Sequence, residues 1–297
     1  MPAMVRKEAM FPKNAVPLFN RYGIALGFYI AVEARLAVFL PGVPSELEKM
    51  YEERVRPLLK QHFKTRRKLA LIVKNIGISE PDVMKKLRND FFNDVFDFGI
   101  YPETGEVSLR LYSESPAVIE RLRRKIKKRL AGYTYAYEET SLSQAVGKML
   151  AKKKLTLAAA ESCTGGLLAS EITRIPRSSR YFKGGVVAYG NDIKTGWLDV
   201  PPKILLQKGA VSAETAAMLA ANIRKKMNAA LGISVTGIAG PDGGSKQKPV
   251  GQVYMAIADK KKTRVWKEYF MGDRRQIQDK TVKKCLEYLW RYLSKVS

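Results

Sequence analysis

Histidine is almost missing from this chain. A single one, His62, occurs in 297 residues. It lies in the helical pattern from Val55 to Phe63. A Ser-His-Asp triad would need that one imidazole to reach a distant domain, and a histidine metal site cannot be built. Cysteine is scarce as well. Cys163 and Cys285 are the only two, which argues against a disulfide framework and a thiolate zinc site and for a reducing, cytoplasmic compartment. Long hydrophobic runs are lacking. The uncharged stretch Tyr22 to Val32 is too short to span a bilayer and is closed by Glu33 and Arg35, so neither a secretory signal nor a membrane partner is expected. Acidic residues number 28 against 53 basic ones, giving a net charge of +25. Such a charge attracts nucleic acid, anionic lipid or a phosphate-bearing metabolite alike. If the chain is a hydrolase, these absences leave lysine, tyrosine or a carboxylate as its base.

What is present points to an α/β fold in three parts. Residues 1–64 hold one evident strand, Leu36 to Leu40, ended by Pro41-Gly42-Val43-Pro44. Ser45 with Glu48 three residues on makes a capping box for a helix running toward Phe63, interrupted at Pro57. Residues 65–138 form a β-α-β-β-α module. Its strands are Lys68 to Lys74, Phe96 to Tyr101 and Glu106 to Tyr112, with a hairpin turn at Pro102 to Gly105. Its first helix is capped by Ser79, and its second spans about 116–130 with Ile119, Leu122, Ile126 and Leu130 on one face. The other faces of that helix are strongly basic from Arg121 to Arg129. A polyanion surface and a solvated helix face both fit, and the solvated face is favoured because no backbone clamp or paired aromatics accompany the run. Residues 139–297 read as a three-layer α/β domain with a central sheet.

Chemistry concentrates in that last part. Glu161-Ser162-Cys163-Thr164-Gly165-Gly166 follows the apolar strand Leu155 to Ala160 and precedes a helix from Leu167. A hydroxyl and a thiol thus sit at a strand-to-helix turn with two glycines, where a nucleophile can be presented or an anion cradled. The bland alternative is a strand followed by a helix capped by Ser162 or Thr164. Two more glycine-containing turns, 189–194 and 236–244, also leave apolar strands. In open α/β sheets the ligand crevice lies outside the carboxyl ends of the strands, so one cleft could gather all three turns. Ser162 could attack an amide carbonyl. Lys194, if desolvated, could accept the proton, and Tyr189 could relay it. The peptide N–H groups of 237–240 could donate to the oxyanion. The same residues can equally be a strand-end aromatic, a surface lysine and ordinary turn glycines, and Cys163 an inert buried thiol.

The chain resembles the CinA family of competence-damage-inducible proteins. The matching motifs are Ala160 to Gly166, Val187 to Lys194, Gly209 to Ser212, Thr236 to Gly244, Lys248 to Gly251 and Gly272 to Arg274. One departure is Gly190, where members often carry serine. The resemblance implies an amidohydrolase that converts nicotinamide mononucleotide to nicotinic acid mononucleotide and ammonia without metal or cofactor. It implies Ser162 as nucleophile, Lys194 with Tyr189 as the proton-transfer pair, and Thr236, Gly237, Ala239 and Gly240 on the carboxamide side. Thr164, Gly165, Gly166 and Arg274 are the candidates for phosphate or ribose contacts. A homodimer is the assembly it suggests. The 65–138 module looks like the small domain that precedes the deamidase in longer members. Residues 10–63 look like the tail of a molybdopterin-binding-like domain, through Asn14 to Asn20 and Pro41 to Glu46. The early glycine-rich and acidic motifs of that domain are not present, so its ADP-ribose pyrophosphatase activity and metal site are expected to be absent. The competing reading is a non-enzymatic, basic nucleic-acid-binding protein.

Overall fold

The computed structural model describes residues 10–63, 68–87, 91 and 97–296. The chain divides into two compact units, Met1–Arg67 and Lys68–Ser297.

In the first unit β1 (Val16–Leu18), β2 (Gly27–Val32) and β3 (Arg35–Phe39) form an antiparallel sheet in the order β1-β2-β3. The sequence signals only the third of these. β1 is short and contains Pro17, and β2 lies inside an apolar stretch without alternation, so neither carries a strand period. Helix α1 (Pro44–Met50) runs into a π-helical turn, Tyr51–Val55, and then α2 (Arg56–His62). Pro57 lacks the N–H that would donate into the preceding turn, and the helix widens just there. Leu18, Met50 and Val55 make the small core. The expected capping box is corrected. The N-cap is Val43, without a side-chain cap, and Ser45 lies inside α1, because Pro44 is already set for the first helical position.

The second unit begins with a four-stranded antiparallel sheet. Its elements are β4 (Leu69–Ile76), α3 (Glu80–Leu87), β5 (Asp97–Glu103), β6 (Glu106–Ser113), α4 (Pro116–Arg129) and β7 (Thr134–Ala136), with strand order β5-β6-β4-β7. The expected Phe96 start of β5 lies outside the described residues. β7 extends the expected pattern to β-α-β-β-α-β. Three residues are too few to show a period, and buried Asn75 holds the strand by accepting from the Thr134 hydroxyl at 2.7 Å. Alternating Leu71, Val73, Leu109 and Leu111 meet Val83 and Leu87 of α3 and Leu122 and Ile126 of α4. Part of the basic face of α4 is engaged within the fold. The Arg123 guanidinium lies 5.5 Å from the Tyr137 ring centre, and Arg129 donates to the Leu87 carbonyl.

Next come α5 (Leu142–Lys152), β8 (Leu157–Glu161), α6 (Leu167–Thr173), β9 (Phe182–Val187), α7 (Asn191–Gly196), α8 (Pro202–Lys208) and α9 (Ala213–Lys226). They are followed by β10 (Leu231–Gly237), β11 (Gln252–Ala258), β12 (Thr263–Tyr269) and α10 (Arg274–Lys295). Capping boxes start α5 at Ser141 and α10 at Asp273. The sheet order is β12-β11-β10-β8-β9, with β8, β9 and β10 parallel and β11 and β12 antiparallel.

All five residues of β8 are buried, as expected for a central parallel strand. Ala159 joins the core beneath α5, α6 and α10, with Val146, Leu168 and Leu289. Ala158 and Ala160 face the other way, toward Leu219 and Ile223 of α9. That makes the three layers of an α/β sandwich. β9 and β10 flank β8 on opposite sides, so strand order reverses at β8. Its carboxyl end is the topological switch point, where such sheets hold their ligands. Among the described residues no helix is long and apolar enough to cross a membrane.

Candidate active site

The turn after β8 is organised by Glu161, a buried carboxylate at the strand end. It accepts from the Thr164 hydroxyl (2.7 Å) and from the N–H groups of Gly166 (3.1 Å), Leu168 (3.0 Å) and Ala169 (2.8 Å). The last two are first-turn donors of α6 that have no intrahelical acceptor, so the carboxylate takes the place an external anion would fill. Gly165 and Gly166 have φ of +61° and +99°, a left-handed pair that glycine adopts without strain. The turn thereby fixes Ser162, only 8% exposed, on the cleft side. From α10, the Gln278 side chain donates to the Cys163 carbonyl at 2.8 Å and ties the turn to that helix.

Lys194 is on α7, one turn beyond Tyr189. It is 1% exposed, and its side chain folds back so that Nζ donates to the carbonyls of Ala188 (2.7 Å) and Tyr189 (2.9 Å), with Gly190 at 3.5 Å. Burial holds its pKa below the ordinary lysine value, while charge on Cys163 and Asp192 pulls the other way. These carbonyls fix the direction in which Nζ points, and the lowered pKa raises the fraction of the neutral amine whose lone pair can take a proton.

The end of β10 supplies the opposite wall. The Thr236 hydroxyl is committed to the Ala210 carbonyl at 2.8 Å, which pins the loop before α9 to the sheet. The Ile238 N–H is taken by the Gln252 carbonyl at 3.0 Å. Among the described residues no acceptor takes the N–H of Ala239 or Gly240, so both remain candidates among the oxyanion donors expected from 237–240, and Ile238 does not. Arg274, the first residue of α10, closes the rim. It donates to the Gly240 carbonyl at 2.7 Å and to the Tyr189 phenolic oxygen at 2.9 Å.

One cleft of about 240 Å³ is therefore lined by Ser162, Tyr189, Lys194, Thr236, Gly237, Ala239, Gly240 and Arg274 together. Thr164, Gly165 and Gly166 are not among its lining residues. The Thr164 hydroxyl and the Gly166 N–H are bonded to Glu161. Cys163 also lines the cleft, but burial pushes its thiol up to about 12. Glu161 and Gln278 escape the sequence-based assignment of roles. The signal for Glu161 is an acid ending an otherwise apolar strand, since a charge buried there must find donors. Ala210 and Val211, in a motif without an assigned role, prove to line the cleft as well.

Residues 139–293 match the family model of the CinA C-terminal domain. The putative competence-damage inducible protein of Halothermothrix orenii is 38% identical over 297 residues, covering 97% of this chain and 71% of that relative. Its counterpart in Thermoanaerobacter pseudethanolicus is 41% identical over 293 residues, with the same coverage of 97% and 71%. Among solved structures, the competence/damage inducible protein CihA from Agrobacterium tumefaciens aligns with a TM-score of 0.50 at 36% identity, covering 52% of this chain and 94% of that one. A competence-damaged protein superfamily member from Klebsiella pneumoniae aligns with a TM-score of 0.51 at 27% identity, covering 52% and 97%.

Proposed function

Because the chain belongs to the CinA family, we propose that it hydrolyses the carboxamide of nicotinamide mononucleotide, releasing ammonia and nicotinic acid mononucleotide. In this reading the Ser162 hydroxyl adds to the carboxamide carbon and Lys194 takes its proton. The oxyanion that forms sits against the N–H groups of Ala239 and Gly240. Collapse of the tetrahedral intermediate returns the proton from Lys194 to the departing amine. Water then cleaves the acyl-serine ester along the same path. Tyr189, whose phenolic oxygen accepts from Arg274, keeps its own O–H to donate at the rim. Arg274 retains further N–H donors for an anionic substrate group. The cytoplasm is the compartment that fits such a substrate.

The observation that carries this reading is the buried Lys194 amine, held by two short carbonyl contacts in the cleft that Ser162 lines. The test is ammonia release from nicotinamide mononucleotide by the purified chain with a metal chelator present. Ser162→Ala and Lys194→Ala should each abolish it. Full activity in folded Ser162→Ala would remove serine from its role.

A further inference from the structure

A second cavity, of about 640 Å³, lies in the Lys68–Ser297 unit away from the cleft, and none of the proposed catalytic residues lines it. Its volume is in the range of pockets that hold small organic ligands, and it sits where such pockets concentrate, between two packed layers of structure. One wall comes from the start of α3 and the β5–β6 turn, the other from Phe270 and α10. The two walls meet at Gly77 and Glu287. A Cβ on Gly77, at φ +69°, would stand 2.3 Å from the Glu287 Oε1.

Four lysines line it: Lys86, Lys280, Lys283 and Lys284. Two are neutralised within the fold. Lys283 pairs with buried Glu106, and Lys284 with Glu287 at 2.8 Å. The other two are not. The Lys280 ammonium donates to the Met271 carbonyl, and Lys86 lies 5.4 Å from the Tyr133 ring centre. Among the described residues no carboxylate is within ion-pair distance of either. Asp82, the remaining acid of the lining, accepts from the Ser79 hydroxyl at 2.6 Å and keeps its negative charge, so the lining carries four cations against Asp82 and Glu287. Ile78, Tyr133 and Phe270 add apolar and aromatic wall.

We infer that this cavity binds a phosphomonoester of an organic body about the size of a mononucleotide, its phosphate held by Lys86 and Lys280 and its ring or chain against Ile78 and Phe270. A phosphate dianion supplies two charges to two ammonium groups that lack an ion-pair partner among the described residues, with Lys86 exposed at the mouth and Lys280 half-buried. The site stands independently of the reaction proposed for the cleft.

Isothermal titration with AMP, adenosine and inorganic phosphate tests it. AMP is expected to bind saturably at one site per chain and adenosine not to bind. Inorganic phosphate should compete with AMP. Lys86→Ala with Lys280→Ala should weaken AMP binding by about tenfold or more, as loss of charge-assisted contacts does. Lys86→Arg with Lys280→Arg should keep it, which separates lost charge from lost folding. Arg274→Ala, which alters the cleft, should keep it too. The assignment fails if AMP does not bind saturably, if binding survives the double alanine substitution, or if it is lost in Arg274→Ala.

Discussion

A lysine can serve as a base only in the fraction of molecules where it is neutral, and Lys194 is placed to raise that fraction. Burial disfavours its ammonium form and holds its pKa below 10.5. The base must be unprotonated, so ammonia release should rise with pH through this lowered ionisation and then level off. Lys194→Arg tests the same point, because a guanidinium stays protonated. A fall of about 10²- to 10⁴-fold in kcat, the usual worth of a general base, is expected. Activity near wild type in that variant would move the proton elsewhere. Cys163 is its counterpart. A thiol near 12 leaves roughly one thiolate in 10⁵ at pH 7. Cys163→Ala should therefore retain most of the activity, and complete loss in a folded variant would favour a thiol mechanism. At this scale the sequence exposes the residue types but not which polar atoms are already engaged. Ser162, Lys194 and Arg274 are legible from their turns. That Glu161 consumes the donors of Thr164 and Gly166, and Gln252 that of Ile238, depends on neighbours brought together only by folding.

At the scale of elements, α6 is short and gains much of its definition from one side chain. Glu161 satisfies two of its first-turn N–H groups and two donors of the preceding turn. Glu161→Gln keeps the shape but turns an NH₂ group toward donors. Replacing one partner of a buried charged network costs about 2–4 kcal/mol. Urea denaturation should register that loss, and ammonia release should fall with it because Ser162 is the next residue. An unchanged midpoint would mean the turn holds itself without the carboxylate. The elements that were legible are those with their own punctuation. Ser141 and Asp273 cap helices whose third residue, Gln144 or Gln276, reaches back to close the box. Those that were not, β1, β2 and β7, show no period, and β1 and β7 have only three residues each. They exist because a neighbouring strand offers hydrogen bonds, which is a tertiary cause.

For the whole molecule, strand order is what composition and pattern could not supply. Nothing local places β10 and β9 on opposite sides of β8, yet that reversal is why three loops separated in sequence share one cleft. The same long-range logic governs how the antiparallel sheet of β4–β7 is fastened to the three-layer domain. Glu287 of α10 pairs with Lys284 and, at 2.8 Å, with Arg291, and Arg291 donates to the Gly132 carbonyl. Lys283 reaches Glu106 of β6. Gly77, just after β4, lies against the side-chain ends of this node, which would have to shift to admit a Cβ. A Cβ would be 2.3 Å from Glu287 and 2.8 Å from Arg291, at a φ of +69° that alanine adopts only with strain. Gly77→Ala should therefore lower stability by about 1–2 kcal/mol through left-handed strain, with the Glu287 and Arg291 ends displaced from their pairing. Because the damage falls on the contacts that join the two sheets, denaturant unfolding should broaden as the antiparallel sheet loosens before the rest. Ammonia release under native conditions should persist, since none of the cleft residues touches this node. A variant that unfolds as sharply and as late as the parent would show that the node is dispensable and that the antiparallel sheet is held by its apolar contacts instead.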